Sequence, residues 1–105
     1  MEYIICAANH YDDGIEHDNK PTNINTGFVV CGHRHHNCIS MFALIVGFPY
    51  NENAIKLLRT EVQGFLTNTN KFVNRKEALD IAIKANQVLD INEVRSIGLH
   101  SEDLY

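Results

Sequence analysis

The sequence predicts an α+β fold, in which an antiparallel or mixed β-sheet carries two main helices packed on one face. Three observations predict it. Short apolar runs of strand length recur along the chain, and two of them flank an Asn/Thr turn. Two longer segments repeat apolar residues at helical spacing. Strands and helices do not alternate strictly, which disfavours a doubly wound parallel sheet. A chain of 105 residues without internal repeats is expected to form one domain, residues 1–105.

The first half of the chain predicts two strands and a helix. Residues 3–10 are a short apolar run of central-strand character, residues 11–25 are a polar loop, and residues 26–31 form a second strand. Residues 34–46 form a helix that Gly47 ends. Its apolar residues recur at the spacing i, i+3, i+4, i+7: Cys38, Met41, Phe42, Ile45.

The middle of the chain predicts a short helix and a hairpin. Residues 51–58 form the short helix, with Asn51 as its N-cap. Residues 62–67 and 71–73 are the two strands of the hairpin, joined by an Asn/Thr turn.

The hairpin runs directly into the second main helix, residues 75–86. Asn74 and Glu77 stand three residues apart, which is the spacing of a capping box. Asn86 is predicted to end the helix in the left-handed conformation. A polar tail follows, in which residues 88–91 resemble a strand.

Composition and charge restrict the partners. The net charge of −4 argues against binding the backbone of a nucleic-acid polymer, although a small anion needs only two or three placed cations. The longest apolar run, residues 39–48, is too short to span a bilayer. Three cysteines, an odd number, with no signal peptide predict a reducing, cytoplasmic location.

The first candidate site is the start of the first helix, where Arg34, His35 and His36 are adjacent. Unpaired N–H groups and the helix dipole favour an anion there. The alternative is a solvated arginine beside capping histidines. The same segment offers Cys31, His33, His35, His36 and Cys38 as metal ligands, but both cysteines are expected to be core residues, so no metal is predicted.

The second candidate site is the hairpin and the helix that it enters. Phe65 or Phe72 could present a ring on which a base stacks, although either is individually more typical of a core. Asn74 is first an N-cap. Arg75 and Lys76 oppose the helix dipole, which makes them candidates for binding an anion.

No catalytic motif accompanies these sites. The chain has no Ser/His/Asp order, no H-E-x-x-H sequence, no Walker loop and no dinucleotide glycine pattern. His35 and His36 are adjacent and cannot both face one substrate from a helix. The protein is therefore predicted not to be an enzyme and to need no cofactor.

Several segments together carry a resemblance to a known family: Gly32, Arg34 to Asn37, Gln63 to Ala78, Ala85 to Gln87, and Ser101 to Tyr105. In this pattern the chain resembles the smaller class of phage Thoeris anti-defence proteins. Those proteins are sponges that sequester cyclic ADP-ribose isomers, and some relatives hold cyclic oligonucleotides at a separate site. The chain departs from the pattern at Asn86, where glycine is expected, and at Asn70-Lys71, where a Gly-Arg turn is expected.

The resemblance implies a homo-oligomer in the infected host cell that sequesters a cyclic ADP-ribose isomer without cleaving it. Phe65 or Phe72 would stack on the base, and Arg75 and Arg95, with amides such as Asn74, would contact ribose and pyrophosphate. Two alternatives stay open: a protein-binding inhibitor or structural module without a nucleotide ligand, and a small enzyme acting on ADP-ribose-like nucleotides.

The last helix also predicts how copies assemble. Ala78, Ala82 and Ala85 make one side of small residues, and Leu79 and Ile83 lie on the other. One side is expected to pack on the sheet and the other on a two-fold related copy, with residues 95–105 reaching toward the partner's site. The alternative is that Leu79 and Ile83 widen the core-facing stripe.

Overall fold

The computed structural model describes all residues, 1–105, as an α+β fold built on one antiparallel four-stranded sheet. The strand order is β2-β1-β3-β4, so the first strand of the chain is central, as predicted. The strands are β1 (Ile4–Tyr11), β2 (Phe28–Gly32), β3 (Val62–Thr67) and β4 (Phe72–Asn74). The predicted fold class is confirmed. Of the two sheet types that the sequence left open, antiparallel and mixed, the sheet is antiparallel.

Three helices follow the predicted positions within one or two residues at each end: α1 (His35–Val46), α2 (Glu52–Leu58) and α3 (Arg75–Lys84). No helix is long and apolar enough to cross a membrane. The predicted strand at 88–91 is wrong. The Leu89 N–H donates to the main-chain oxygen of Asp103 (2.9 Å), so this part of the chain pairs within the tail (residues 87–105) and not with the sheet.

The helices and the tail cover one face of the sheet. Ala7 and Phe65 are register partners on that face, and Phe42 of α1 packs on it from above. Ala78 and Ala82 of α3 are fully buried; their small side chains let the helix approach the sheet closely. Two leucines of the tail complete the same core, Leu99 and Leu104. The tail is therefore part of the folded unit.

The opposite face is covered only in part. The side chain of Asn23 accepts from the Phe72 N–H (2.8 Å) and donates to the Phe72 oxygen (2.6 Å), as a further strand would. Phe72 lies over Gly64, where an added Cβ would come within 2.8 Å of its ring. Cys6 and Cys31 lie on the same face, half-buried and exposed respectively.

Both asparagines that stand where glycine was expected adopt positive φ. Asn70 in the hairpin turn has φ 60° and Asn86 after α3 has φ 57°. Asparagine occupies the left-handed region more readily than most residues. The prediction that Asn86 ends α3 in the left-handed conformation is confirmed.

The predicted division of α3 into two sides is wrong in one respect. Leu79 is half-buried and packs against the chain's own core, as the alternative predicted, whereas Ile83 is 46% exposed. Leu99 of the tail is fully buried in its own chain, where its N–H donates to the Arg75 oxygen. The expectation that residues 95–105 reach toward a partner subunit stays a prediction.

Candidate functional site

The start of α3 is built from neighbouring residues. The Asn74 side chain accepts from the Glu77 N–H at 2.8 Å, and the Glu77 carboxylate accepts from the Asn74 N–H at 3.1 Å. This reciprocal pair is the predicted capping box. It fixes the direction in which α3 leaves β4, and it places Arg75 in the first turn.

The start of α1 is different. Arg34 is the N-cap, and its side chain makes no capping bond. The only local support is the Asn37 side chain, which accepts from the Arg34 N–H at 2.9 Å. The first turn of α1 contains no acidic residue. No nearby negative charge within α1 therefore offsets the positive end of its helix dipole.

The two helix starts meet over the middle of the sheet, and Arg75 joins them. Its guanidinium donates to Gln63 Oε1 (2.8 Å) and to the Leu99 oxygen (2.8 Å), and it lies 3.5 Å from Nδ1 of His35. His35 Nε2 lies 2.8 Å from the Gly64 oxygen, which can only accept, so Nε2 carries the proton and Nδ1 faces Arg75 as an acceptor. His35 is thus a neutral ring between two fixed partners.

The electrostatics agree with this geometry. Burial lowers the pKa of His35, and the nearby Arg75 charge lowers it further, against the Gly64 bond that raises it. Burial also lowers the pKa of Arg75, and Arg95 contributes in the same direction. Since an arginine stays charged in proteins, Arg75 and Arg95 form a cationic pair beside the helix starts.

Arg34 is held by the tail. Its guanidinium donates to Ser101 Oγ (3.1 Å) and to the main-chain oxygen of Tyr105 (2.6 Å). The Tyr105 hydroxyl donates to the His33 oxygen at 2.7 Å, and the two rings stack with centroids 4.4 Å apart. Glu102 is 3.7 Å from Arg34 but largely exposed, so this ion pair is weak.

The predicted site residues divide into three groups: those at the two helix starts, one that is exposed on α1, and two phenylalanines that are buried. Arg34, His35, Arg75 and Asn74 are brought to the two helix starts, and Arg95 is close enough to act on Arg75. His36 is exposed on the first turn of α1.

Phe65 and Phe72 are buried, and the expectation that one of them presents a ring to a base is wrong. Phe65 lies on the helix-covered face, where its ring meets His35 edge-on at 5.1 Å. Phe72 fills the space above Gly64. Both rings are core residues, one on each face of the sheet.

A polar network that the sequence reading missed continues from this site. The Glu61 carboxylate accepts from the Tyr11 hydroxyl (2.7 Å) and from the Gln63 amide (3.1 Å), and Gln63 in turn accepts from Arg75. Asn9 donates to Tyr11 (3.3 Å), and its own Oδ1 is buried without a partner. The sequence feature that could have indicated this network is Asn9, a polar residue in an otherwise apolar strand. Ser101 and Tyr105 belong to a segment that carries the family resemblance, but nothing in the sequence indicated their contacts with Arg34, which lies 67 and 71 residues away.

The clefts of the molecule lie elsewhere. The largest, about 430 Å³, lies between the end of β1 and α2. Its lining residues are Asp12, Asp13, Asn53, Lys56, Leu57 and Thr60. Two carboxylates, Asp12 and Asp13, and one cation, Lys56, lie at its wall.

Metal binding has no geometric basis at the predicted segment. No three His, Cys, Asp or Glu side chains cluster closely enough to hold a metal ion. Cys38 is fully buried, as expected, but Cys31 is exposed on the partly covered face of the sheet, so its expected core position is wrong.

Comparison with known proteins gives one match. The family model described as Phage T4 y16D protein matches residues 3–105, nearly the whole chain. No curated protein and no solved structure matches the chain.

Proposed function

The chain belongs to the Phage T4 y16D protein family, and we propose that it is a phage anti-defence protein that binds and sequesters a cyclic ADP-ribose-type nucleotide without cleaving it. One observation carries the proposal. The N-terminal ends of α1 and α3 meet at a contact between His35 and Arg75, with further cations beside it. The dipole of α1, which no acidic residue in its first turn offsets, favours an anion at this surface.

The donors left over at this surface suit a pyrophosphate. Arg75 uses three of its five N–H groups on Gln63, Leu99 and His35, which holds the guanidinium in place. Arg95 is exposed and close enough to add a second charge, and His36 is exposed on the first turn of α1. A rigid cation beside mobile ones is suited to gripping an anion whose charge is spread over several oxygens.

The base would lie against the stacked rings of His33 and Tyr105. Tyr105 is 39% exposed, and the Arg34 guanidinium lies 5.5 Å from its ring centroid. A flat base placed on such a pair gains stacking worth about 1–3 kcal/mol, by analogy with single-strand binders. These rings replace Phe65 and Phe72 in the proposal.

Assembly of two or more copies is part of the proposal, since the surface at the helix starts is shallow. Helix α1 leaves a row of large apolar side chains exposed: Met41, Leu44, Ile45 and, just after its end, Phe48. Contiguous exposed apolar surface of this kind marks an interaction site. Light scattering should give at least a dimer, and Leu44→Glu should separate the copies without unfolding, because Leu44 is 77% exposed.

Calorimetry with cyclic ADP-ribose isomers tests the ligand. We expect binding at tens of micromolar protein, with the nucleotide recovered intact after heat denaturation. Arg95→Gln should weaken binding. Lys84→Gln, which removes an equal charge at the far end of α3, should leave it unchanged. Absence of heat with every isomer would refute the proposal, and recovery of altered nucleotide would favour a small enzyme acting on ADP-ribose-like nucleotides.

The exposed apolar row on α1 also favours a second candidate, a protein-binding inhibitor without a nucleotide ligand. On that reading the purified protein is a monomer, gives no heat with nucleotides and retains a host protein in a pull-down. Loss of that protein on Leu44→Glu would assign the row to the host partner.

A further inference from the structure

The two edges of the sheet differ in how they are covered. At the β4 edge the Asn23 side chain bonds both the N–H and the oxygen of Phe72, so that edge is occupied. At the opposite edge, β2 makes no main-chain hydrogen bond beyond its pairing with β1, and no loop side chain caps it. Every second residue of an edge strand points its N–H and C=O away from the sheet. The outer side of residues 28–32 therefore offers unpaired hydrogen-bonding groups to another strand.

The sequence of β2 has none of the features that protect an edge strand. Edge strands of monomeric proteins carry lysine, proline or a β-bulge that prevents pairing with another chain. The strand Phe28–Gly32 contains no charged residue and no proline, and its register with β1 is unbroken. Val29 is half-buried and Cys31 is exposed, both on the face that the helices leave open. Because a two-fold axis places identical strands side by side, an uncharged strand can pair with itself without like charges meeting.

Helix α1 adds apolar side chains to the same edge. The helix packs on β2 and β1, and Cys38 is fully buried against the sheet. His35 and Met41 stand three residues before and after Cys38, so they are turned about 60° to opposite sides of it. His35 reaches toward β3, where it meets the Gly64 oxygen. Met41, and Leu44 beyond it, therefore face outward past β2, and they are 47% and 77% exposed.

Given the assembly of copies in the proposed function, we propose that this edge is its interface: β2 of one copy pairs antiparallel with β2 of a second copy, about a two-fold axis at Val30. The sheet then continues into the second copy, and the apolar rows of the two α1 helices meet above the paired strands. Pairing over a five-residue strand is small beside the roughly 1,200–2,000 Å² that stable complexes bury, so the helix rows supply the remaining contact. A lone strand from a host protein would leave Met41 and Leu44 uncovered.

Pairing about Val30 places Val29 of one copy opposite Cys31 of the other, which gives a cross-linking test. Residues directly opposite each other have Cα atoms roughly 4.5–5.5 Å apart, within the span of a disulfide. Val29→Cys should therefore give a dimer on a non-reducing gel after oxidation with copper phenanthroline, and adding Cys31→Ser should abolish it. Val62→Cys is the matched control. Val62 is 46% exposed and lies in the same row of the sheet, across His10, but two strands from the edge, so this variant should cross-link no more than the unmodified chain.

Light scattering on Cys31→Lys is the second measurement. A lysine on the edge strand should turn the dimer into a monomer, and it should not unfold the chain, because Cys31 is exposed. Val62→Lys, on β3, should remain a dimer. Circular dichroism and thermal unfolding check that each variant is folded.

The outcomes separate this interface from the nucleotide site. A dimer of Cys31→Lys, or a dimeric protein that Val29→Cys does not cross-link, would overturn the edge pairing and leave assembly to the α1 row alone. A monomeric unmodified chain would overturn the edge pairing together with the assembly. Cross-linking through Val29→Cys in a protein that gives no heat with any cyclic ADP-ribose isomer would support the edge pairing and refute the nucleotide proposal.

Discussion

The two main helices begin in opposite ways, and the difference shows where the stability of this fold comes from. Helix α3 begins with a capping box of residues three apart, Asn74 and Glu77. Helix α1 begins at Arg34, which has no capping side chain of its own and is held by Ser101 and Tyr105, near the other end of the sequence. One start is local and should survive damage elsewhere, whereas the other depends on the tail.

A substitution in the tail is expected to have the largest effect on the difference between the two helix starts. Leu99→Ala removes a fully buried side chain from the core and should lower the free energy of unfolding by about 2–5 kcal/mol. Urea unfolding measures the loss. Ile97→Ala, at a side chain 62% exposed, is the control and should change stability by less than about 0.5 kcal/mol.

Hydrogen exchange on the same Leu99→Ala variant sharpens the comparison. Protection should fall in the first turn of α1, which the tail supports, more than in the first turn of α3, which caps itself. Equal loss at both starts would show that the capping box is not sufficient to hold α3.

The contact between the tail and α3 can be broken at one glycine. Gly98 has φ 130°, and an added Cβ would lie 2.6 Å from the Arg75 carbonyl carbon. Gly98→Ala should therefore cost backbone strain and a steric clash together, about 2–4 kcal/mol. Gly14→Ala is the matched control: its φ is 75° and nothing lies within 4 Å, so it should show the strain alone. Equal losses of thermal stability in the two variants would contradict the close packing of the tail on α3.

The capping box predicts a smaller effect. Asn74→Ala should lower the free energy of unfolding by about 1 kcal/mol, and Asn74→Asp should keep most of the stability, because aspartate is as good an N-cap. Asn37→Ala, which removes the local bond at the start of α1, should cost less, since the tail still holds Arg34. Denaturant titrations of the three variants rank these losses, and a larger loss for Asn37→Ala would reverse the comparison.

The smallest expected effect is a dependence on pH at the contact of the two helix starts. Burial lowers the pKa of His35 in the folded state below its unfolded value of about 6.5, so the unfolded chain binds the proton more readily. The contribution of neutral His35 is fully present above about pH 6.5 and is lost as the pH falls toward the folded value.

His35→Gln keeps an amide donor for Gly64 and removes the titration. Between about pH 7.5 and 5.5 this variant should lose less stability than the unmodified chain, as measured by thermal unfolding at each pH. If His35→Gln and the unmodified chain lose stability in parallel, His35 is not the buried neutral ring described above.

The features of this fold that have local causes could be predicted from the amino-acid sequence. Apolar periodicity placed α1 and α3, the Asn74–Glu77 spacing fixed the start of α3, and asparagine at 70 and 86 supplied the left-handed turns. These features depend on residues within one or two turns of each other, so a linear pattern carries them.

Which side chains from distant parts of the chain contact each other could be seen in the folded protein alone. In the sequence, nothing distinguishes Phe65 and Phe72 from exposed rings on which a base could stack. In the folded chain both are buried, because the helices cover Phe65 and the loop that contains Asn23 lies against the strand of Phe72. The tail contacts Arg34 and Arg75, which lie 24 to 71 residues away from their partners along the chain. Contacts at such separations leave no periodic trace, so Tyr105, Ser101 and Leu99 became visible as parts of the candidate site only in the folded chain.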